Sequence, residues 1–330
     1  MVNVLRIKEV KDISNMLCVG SGASGKVYTE PGNTDYAYKV IDYKYDDGYE
    51  NIMYEIGIQY KLRGCGNVLQ LKGFWENVPR KRKKETDIFT GKQAQAKRLE
   101  YTKYVVIVSE YMEMSLFSLF PTLKNNTEVA MGVFRQIIDG VNQIHSCGVV
   151  HGDLTPKNIM GSNRDEGCIV KIIDFGLSTL EGEYGFGTTA AYEDPLLTAK
   201  LAQSKTGYVT MNKVHDIYSL GIVAWNILTG VYCYIYTNKA VENRDCAEVK
   251  VGFASQARFL ETIQNEDLPE LETLKTFIVN PFESGTCPDE GLYGLFSDDE
   301  KKLLWTVVRN CCTLDLDKRW DICAVKKFVQ

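Results

Sequence analysis

Histidine is scarce in this chain, with three among 330 residues, and its ten cysteines include no Cys-x-x-Cys pair, so the spacing that builds a structural zinc site is missing. Positive charge is not in excess either. The formal net charge of -5 argues against general affinity for nucleic acid or an anionic membrane surface. No low-complexity tract, internal repeat or signal-peptide pattern marks the chain, and 45% hydrophobic with 25% charged residues is ordinary for a soluble globular protein. Without a secretory signal, the scattered thiols are expected to be reduced, in the cytoplasm. Long apolar runs are absent but for one. Residues 217–238 (IYSLGIVAWNILTGVYCYIYTN) carry no charge over 22 positions, long enough for a membrane span. Ser219, Gly221, Asn226, Thr229 and Gly230 interrupt it and Asp216 stands at its start, which fits the buried central helix of a soluble domain as well.

The length exceeds one core of ordinary size and falls short of three, leaving two lobes or one large α/β domain. Leu17-Cys18-Val19, Val27-Tyr28, Tyr36 to Val40, Val68 to Trp75 and Tyr104 to Val108 are short β-prone runs. Among them, 48–62 has helical spacing, with Ile52, Ile56 and Leu62 apolar. Residues 76–103 are polar and predict a solvated loop or long hairpin. Their basic run Arg80-Lys81-Arg82-Lys83-Lys84 is a candidate nuclear address or docking site, or simply a solvated stretch. After Leu116 the pattern turns helical. Val133, Phe134, Ile137, Ile138, Val141 and Ile144 share one face, and further helices are predicted over 216–230, 255–264, 297–312 and 320–329. The expected class is α+β: a small β-rich lobe followed by a larger helical one. Residues 231–296 carry no readable motif and are left as candidate partner-binding loops.

Val19-Gly20-Ser21-Gly22-Ala23-Ser24-Gly25-Lys26-Val27 spells G-x-G-x-x-G-x-V between two strand-like runs. Such glycines let a hairpin fold close over triphosphate oxygens and present backbone N–H donors, although a glycine hairpin with no ligand is as common. Two rival readings fail on context. A P-loop needs a hydroxyl after Lys26, where Val27 stands, and a dinucleotide site needs the glycines to open a helix, where Val27-Tyr28 opens a strand. Further on, Lys39 sits in the β-prone Tyr36-Ala37-Tyr38-Lys39-Val40, and Glu55 lies at helical phase with Ile52 and Ile56, with Glu50 as a fallback. A carboxylate on a neighbouring helix is what a phosphate-binding ammonium needs to be held in place.

The richest stretch is His151-Gly152-Asp153-Leu154-Thr155-Pro156-Lys157-Asn158, followed by Asp174-Phe175-Gly176 at the end of a strand-like run. Phosphoryl transfer needs a carboxylate to accept a hydroxyl proton and oxygen ligands for Mg²⁺. Asp153 suits the first task, Asn158 and Asp174 the second. Turn-capping explains any one of these residues, but not all of them in this order with Gly20, Gly22, Gly25, Lys39 and Glu55.

In these motifs the chain resembles eukaryotic-type protein kinases over 13–328, with a lobe and hinge at 13–112 and a helical lobe at 113–328. The resemblance implies ATP, with Mg²⁺ or alternatively Mn²⁺, and protein substrates bearing serine or threonine. It implies that Gly20, Gly22 and Gly25 cover the phosphates while Lys39, held by Glu55, pairs with them. Val19, Val27, Ala37, Ser109, Glu110, Met112, Ser115 and Met160 would line the nucleotide site. Asp153 would be the catalytic base, and Asn158 and Asp174 the metal ligands. Asp216-Ile217-Tyr218-Ser219-Leu220-Gly221 resembles the start of the family's central helix, which removes the membrane reading, and Asp315-Leu316-Asp317-Lys318-Arg319 resembles its terminal arginine motif. His-Gly-Asp-Leu-Thr with Asp-Phe-Gly-Leu-Ser is also similar, locally, to the small kinase of the KEOPS complex.

Three positions depart from the family pattern. Gly152 replaces the arginine that binds an activation-loop phosphate, so switching by that pairing is not expected. Thr155 replaces the lysine of serine/threonine kinases, leaving Lys157 as substitute cation and tyrosine or dual specificity as an alternative. Gly187-Thr188-Thr189-Ala190-Ala191-Tyr192 nevertheless resembles the serine/threonine substrate loop, with Thr189 aligned to the threonine that meets the catalytic aspartate. Leu196 in Asp194-Pro195-Leu196 replaces the glutamate that pairs with Arg319; Asp194 or Glu193 is expected to serve, or Arg319 to be solvated. Gln59 occupies a helix position the family keeps apolar. A scaffold pseudokinase is the alternative of another class, though such proteins commonly lack one of the residues present here.

Overall fold

Period-two alternation builds the first sheet. In the computed structural model, which describes residues 13–22, 24–77, 103–164, 167–186, 189, 192–229 and 296–330, strands β1 (Leu17–Gly22), β2 (Gly25–Glu30), β3 (Asn33–Tyr43), β4 (Leu71–Asn77) and β5 (Lys103–Glu110) pair antiparallel in the order β1-β2-β3-β5-β4. Successive side chains point to opposite faces. On one face Tyr38, Val40, Trp75, Val106 and Val108 pack together. On the other, Tyr43, Leu71, Phe74, Val105 and Ile107 meet Ile52 and Ile56 of helix α1 (Asp46–Lys61). Asp46 and Asp47 in the first turn of α1 suit the positive end of its dipole, which is why the helix starts ahead of the predicted 48.

Contacts divide the chain into two units: residues up to Tyr60 with Gln70–Tyr111, and Lys61–Leu69 with Met112–Gln330. The 61–69 segment joins the second unit because Asn67 and Leu69 are stitched into it. The Asn67 backbone N–H donates to Gln143 Oε1, its side-chain amide to Val170 O, and Leu69 N–H to Ile172 O. The predicted 68–75 strand therefore begins later, at Leu71; Val68 makes only an isolated parallel bridge to Ile172.

In the second unit, β6 (Met114–Ser115) leads into α2 (Leu116–Lys124), and α3 (Thr127–Ser146) buries Val133, Phe134, Ile137, Ile138, Val141 and Ile144, the predicted apolar face. Then follow β7 (Val149–Val150), β8 (Ile159–Arg164), β9 (Gly167–Ile172), β10 (Thr179–Leu180), β11 (Tyr184–Gly185), α4 (Pro195–Gln203), β12 (Val209–Thr210) and α5 (Lys213–Thr229). Helices α6 (Asp298–Cys312) and α7 (Ile322–Val329) close the unit. Ser297 and Glu300 form a capping box on α6, and Asp321 caps α7. Helix α5 is buried along its length and packs against α6 at Gly221, where a Cβ would stand 2.4 Å from Cys312 Sγ. No described helix is long and apolar enough to cross a membrane. Of the predicted 76–103 loop, Glu76 and Asn77 belong to β4 and Lys103 to β5. Residues 78–102 with the basic run 80–84, the predicted helix 255–264 and the candidate loops 231–296, apart from Phe296, lie outside the described residues, as do Ala23, Gly187, Thr188, Ala190 and Ala191.

Candidate active site

The first unit carries the glycine hairpin and its lysine. Strand β1 pairs Gly20 with Val27 and Gly22 with Gly25, with a bulge between Cys18 and Gly20 that leaves Val19 unpaired and exposed. Gly25 is compelled by the fold: its φ is +126° and a Cβ would approach Val40 O to 2.5 Å. Gly22 is not, since a Cβ there meets nothing within 4 Å, and at Gly20 it would make ordinary contact with Val27 at 3.7 Å. The backbone thus leaves open room beside Gly22.

Val27 pairs with Lys39 and Ala37 with Ser109, so alternation puts Val27, Ala37, Lys39 and Ser109 on one sheet face. This is the face that α1 covers. There Lys39 Nζ donates to Glu55 Oε1 at 2.8 Å, with both side chains largely buried. Glu50, the fallback carboxylate, has no such contact among the described interactions. Gln59, one turn further along α1, donates from Nε2 to the same Glu55 oxygen at 3.1 Å. At the end of β5, Glu110 N–H donates to Gln70 O and the Glu110 carboxylate accepts from Gln70 N–H at 2.8 Å.

The second unit carries the acidic cluster. The β8–β9 hairpin pairs Ile159 with Ile172, and Ile173 N–H donates to Asn158 O at 2.9 Å, so Asn158 and Asp174 flank the same end of the ladder. Asn158 Nδ2 donates to both the backbone O and the Oδ2 of Asp153, at 2.8 and 2.7 Å. The other carboxylate oxygen, Asp153 Oδ1, accepts from Thr189 backbone N–H at 3.0 Å. Thr189 thus meets Asp153 through its main chain. Asp174 has φ +62°, the single non-glycine residue at positive φ among those described, and such backbone is retained where surrounding structure over-determines it. Lys157 is exposed while Thr155 is buried. The Ser115 hydroxyl caps α2 by accepting from Ser118 N–H, and Ser115 pairs with Met160 across β6 and β8. Met112 is buried.

What holds this loop is Asp216, at the start of α5. Its Oδ2 accepts from His151 N–H at 2.8 Å and from His145 Nε2, and its Oδ1 accepts from Gly152 N–H at 2.9 Å. Burial pushes this carboxyl up, but His145 and the backbone donors outweigh burial and lower it below the ordinary range. Gly152 has φ +79°, and a Cβ would meet Leu177 O at 2.7 Å, so the loop as built excludes any side chain there. His151 Nδ1 accepts from Asp153 N–H, which leaves the proton on Nε2 to donate to Ile173 O at 3.0 Å. One imidazole thereby links the segments bearing Asp153 and Asp174. Ser178 Oγ donates to His151 O at 2.7 Å, a tether that sequence reading missed because its partner is a carbonyl with no side-chain signature.

Arg319 takes Asp194 as its partner, with Nη1 to Oδ2 at 2.5 Å, and it also donates to Thr313 O and Val214 O. Glu193 accepts instead from Thr198 Oγ1. His215 Nδ1 lies 3.0 Å from Asp194 Oδ2. Burial would raise the Asp194 carboxyl, yet His215 and Arg319 hold it at about 2.

A divalent cation fits the donor set present. Among the described residues no three His, Cys, Asp or Glu side chains converge, so an all-protein metal cage is absent. Mg²⁺ usually takes one or two protein oxygens and completes its shell with phosphate and water. The carboxylate of Asp174 and the carbonyl oxygen that Asn158 retains, its amide nitrogen being committed to Asp153, match that demand.

The sequence matches the profile of the protein kinase domain over residues 14–328. It is 31% identical over 231 residues to a calcium/calmodulin-dependent protein kinase type 1 of Caenorhabditis briggsae, covering 68% of this chain and 56% of that protein. It is 35% identical over 134 residues to the serine/threonine-protein kinase ksp1 of Schizosaccharomyces pombe, covering 38% of this chain and 28% of that one. Identity to calcium-dependent protein kinase 27 of Arabidopsis thaliana is 28% over 187 residues, or 55% of this chain and 33% of that protein. The matched stretches span little more than half of the first of these relatives and less of the others. With a profile match over nearly the whole chain, and with one five-stranded sheet unit and one helical unit, the chain belongs to the protein kinase family and has its two-lobed fold.

Proposed function

We propose that this chain is an active protein kinase that transfers the γ-phosphoryl group of ATP, with Mg²⁺, to serine or threonine hydroxyls of proteins. The observation that carries the reading is the arrangement at Asp153, whose two carboxylate oxygens are separately engaged by Asn158 and Thr189. A carboxylate fixed in this way is oriented before substrate arrives, as a general base must be. Gly20 and Gly22 leave room for phosphates, Lys39 supplies a cation whose position Glu55 sets, and Asn158 with Asp174 would hold the metal. The metal ion neutralises charge on the phosphates when bound. Asp153 takes the proton of the attacking hydroxyl, and Lys157 would supply a cation toward the transferring group in place of the lysine that Thr155 replaces. Serine/threonine specificity is supported by the named serine/threonine relative and by the Thr189 contact with Asp153. The cytoplasm remains the proposed location.

Radiolabelled phosphoryl transfer to generic protein substrates, followed by phosphoamino-acid analysis, tests this reading. Label on serine and threonine is expected for the wild type and not for Asp153→Ala or Asp174→Ala. Equal silence of all three proteins while ATP still binds would falsify it.

A further inference from the structure

Resting on the kinase reading above, we infer that Gln59 is a positioning residue for the phosphate-binding lysine, acting through Glu55. Glu55 Oε1 accepts two hydrogen bonds, from Lys39 Nζ at 2.8 Å and from Gln59 Nε2 at 3.1 Å. Gln59 and Glu55 are each 5% exposed, so neither bond competes freely with water. The amide orientation is set by chemistry. Turned over, the amide would face a carboxylate with its own carbonyl oxygen, acceptor against acceptor.

That orientation leaves Gln59 Oε1 buried without a hydrogen-bond partner among the described residues. A buried acceptor left unpaired is costly, whereas an apolar side chain of similar volume would incur no such cost. Neighbours of Gln59 on the buried side of α1 include Ile52, Ile56 and Ile58, so an apolar residue is what packing alone would favour. A polar group kept against the local stability preference is the signature of a positional task. Gln59 spans one helical turn to Glu55, and its N–H fixes the rotamer that points Oε1 at Lys39. Among the described residues, the charged group it bonds is Glu55 on its own helix, which in turn accepts from Lys39 of β3.

Two variants of the full chain test this, each read by urea unfolding, by affinity for a fluorescent ATP analogue and by kcat and KM for ATP. Gln59→Leu removes both the donor and the unpaired acceptor. It is expected to unfold at equal or higher urea while nucleotide affinity and kcat/KM fall about tenfold, as loss of a hydrogen bond to a charged group predicts. Gln59→Glu keeps the shape and sets a carboxylate against Glu55. It is expected to lose more at neutral pH and to recover as pH is lowered, because the introduced carboxyl donates again once protonated. Recovery of that kind is not expected of a residue that merely fills space. The inference is overturned if Gln59→Leu keeps affinity and kcat/KM within twofold, or if the Gln59→Glu deficit does not change with pH. Should Gln59→Leu fail to fold, the pH profile of Gln59→Glu decides alone. The two readings fail separately: wild type with no transfer overturns the kinase reading, while the nucleotide affinity of Gln59→Leu and Gln59→Glu still reports on Gln59.

Discussion

Five of the six residues of β1 are exposed, and the strand is paired through its backbone to β2. In the loop bearing Asp153, by contrast, His151, Gly152, Leu154, Thr155 and Pro156 are all buried, and Asp216, Ser178 and Ile173 bind its backbone or its histidine. Both stretches are read as serving one reaction, yet their construction is opposite. A loop that must cover a polyanion and let it go has few buried contacts and low local stability. A group that must accept a proton at one point has its geometry fixed beforehand, because reorganisation during reaction would raise the barrier.

Breaking the buried side of this contrast gives the largest effects. Asp194→Asn strips the charge from a fully buried partner of Arg319 and is expected to cost about 3–5 kcal/mol in urea unfolding, as loss of one member of a buried pair does. A loss under about 1 kcal/mol would mean the guanidinium is satisfied by its carbonyl partners alone. Asp153→Asn is expected to lower kcat by about 10²–10⁴-fold with little change in unfolding, separating chemistry from scaffold.

Acid should act through the same buried carboxylates. The folded pKa of Asp194 is depressed, from 3.8 to about 2, so its contribution is present above the unfolded value and lost as pH falls through the folded one. About 2 kcal/mol of stability should disappear between roughly pH 4.5 and pH 2, and Asp194→Asn should show a flatter stability profile over that window. The hairpin side predicts smaller numbers. Gly25→Ala is expected to cost about 1–2 kcal/mol, for its positive φ and the clash with Val40 O, whereas Gly22→Ala should stay within about 0.5 kcal/mol and still weaken ATP binding. Equal stability losses at the two glycines would break the contrast. The smallest effect is expected from phosphatase treatment. With Gly152 in place of a phosphate-binding arginine, activity of bacterially produced protein should change by less than about twofold.

The strands around Lys39 were legible because alternation is local: Tyr38 and Val40 face one way and Lys39 the other, whatever the rest of the chain does. That Asp153 and Asn158 share one loop and Asp174 follows the next strand was legible too, because their separations in sequence are short. The early start of α1 and the late start of β4 were not. The first depends on Asp46 and Asp47 meeting a helix dipole, and the second on Asn67 being drawn into the other unit by Val170 and Gln143. Gln59 looked like an irregularity in an apolar stripe; its contact with Glu55 gave it a partner.

By itself, then, the sequence determined the family, the sheet-then-helix order, and which residues to propose as carriers of oxygen, nitrogen and charge for phosphoryl chemistry. Local spacing encodes these, and they need no knowledge of what lies across the core. Tertiary structure alone decided that Asp194 and not Glu193 meets Arg319, 125 residues away. It alone made Gly152 obligatory, through a positive φ and the carbonyl of Leu177, and made Asp216 the anchor of His151 and Gly152. The reason is physical. A buried charge is tolerable only beside its partner, and which residue becomes that partner is set by how the helices pack, not by distance along the chain.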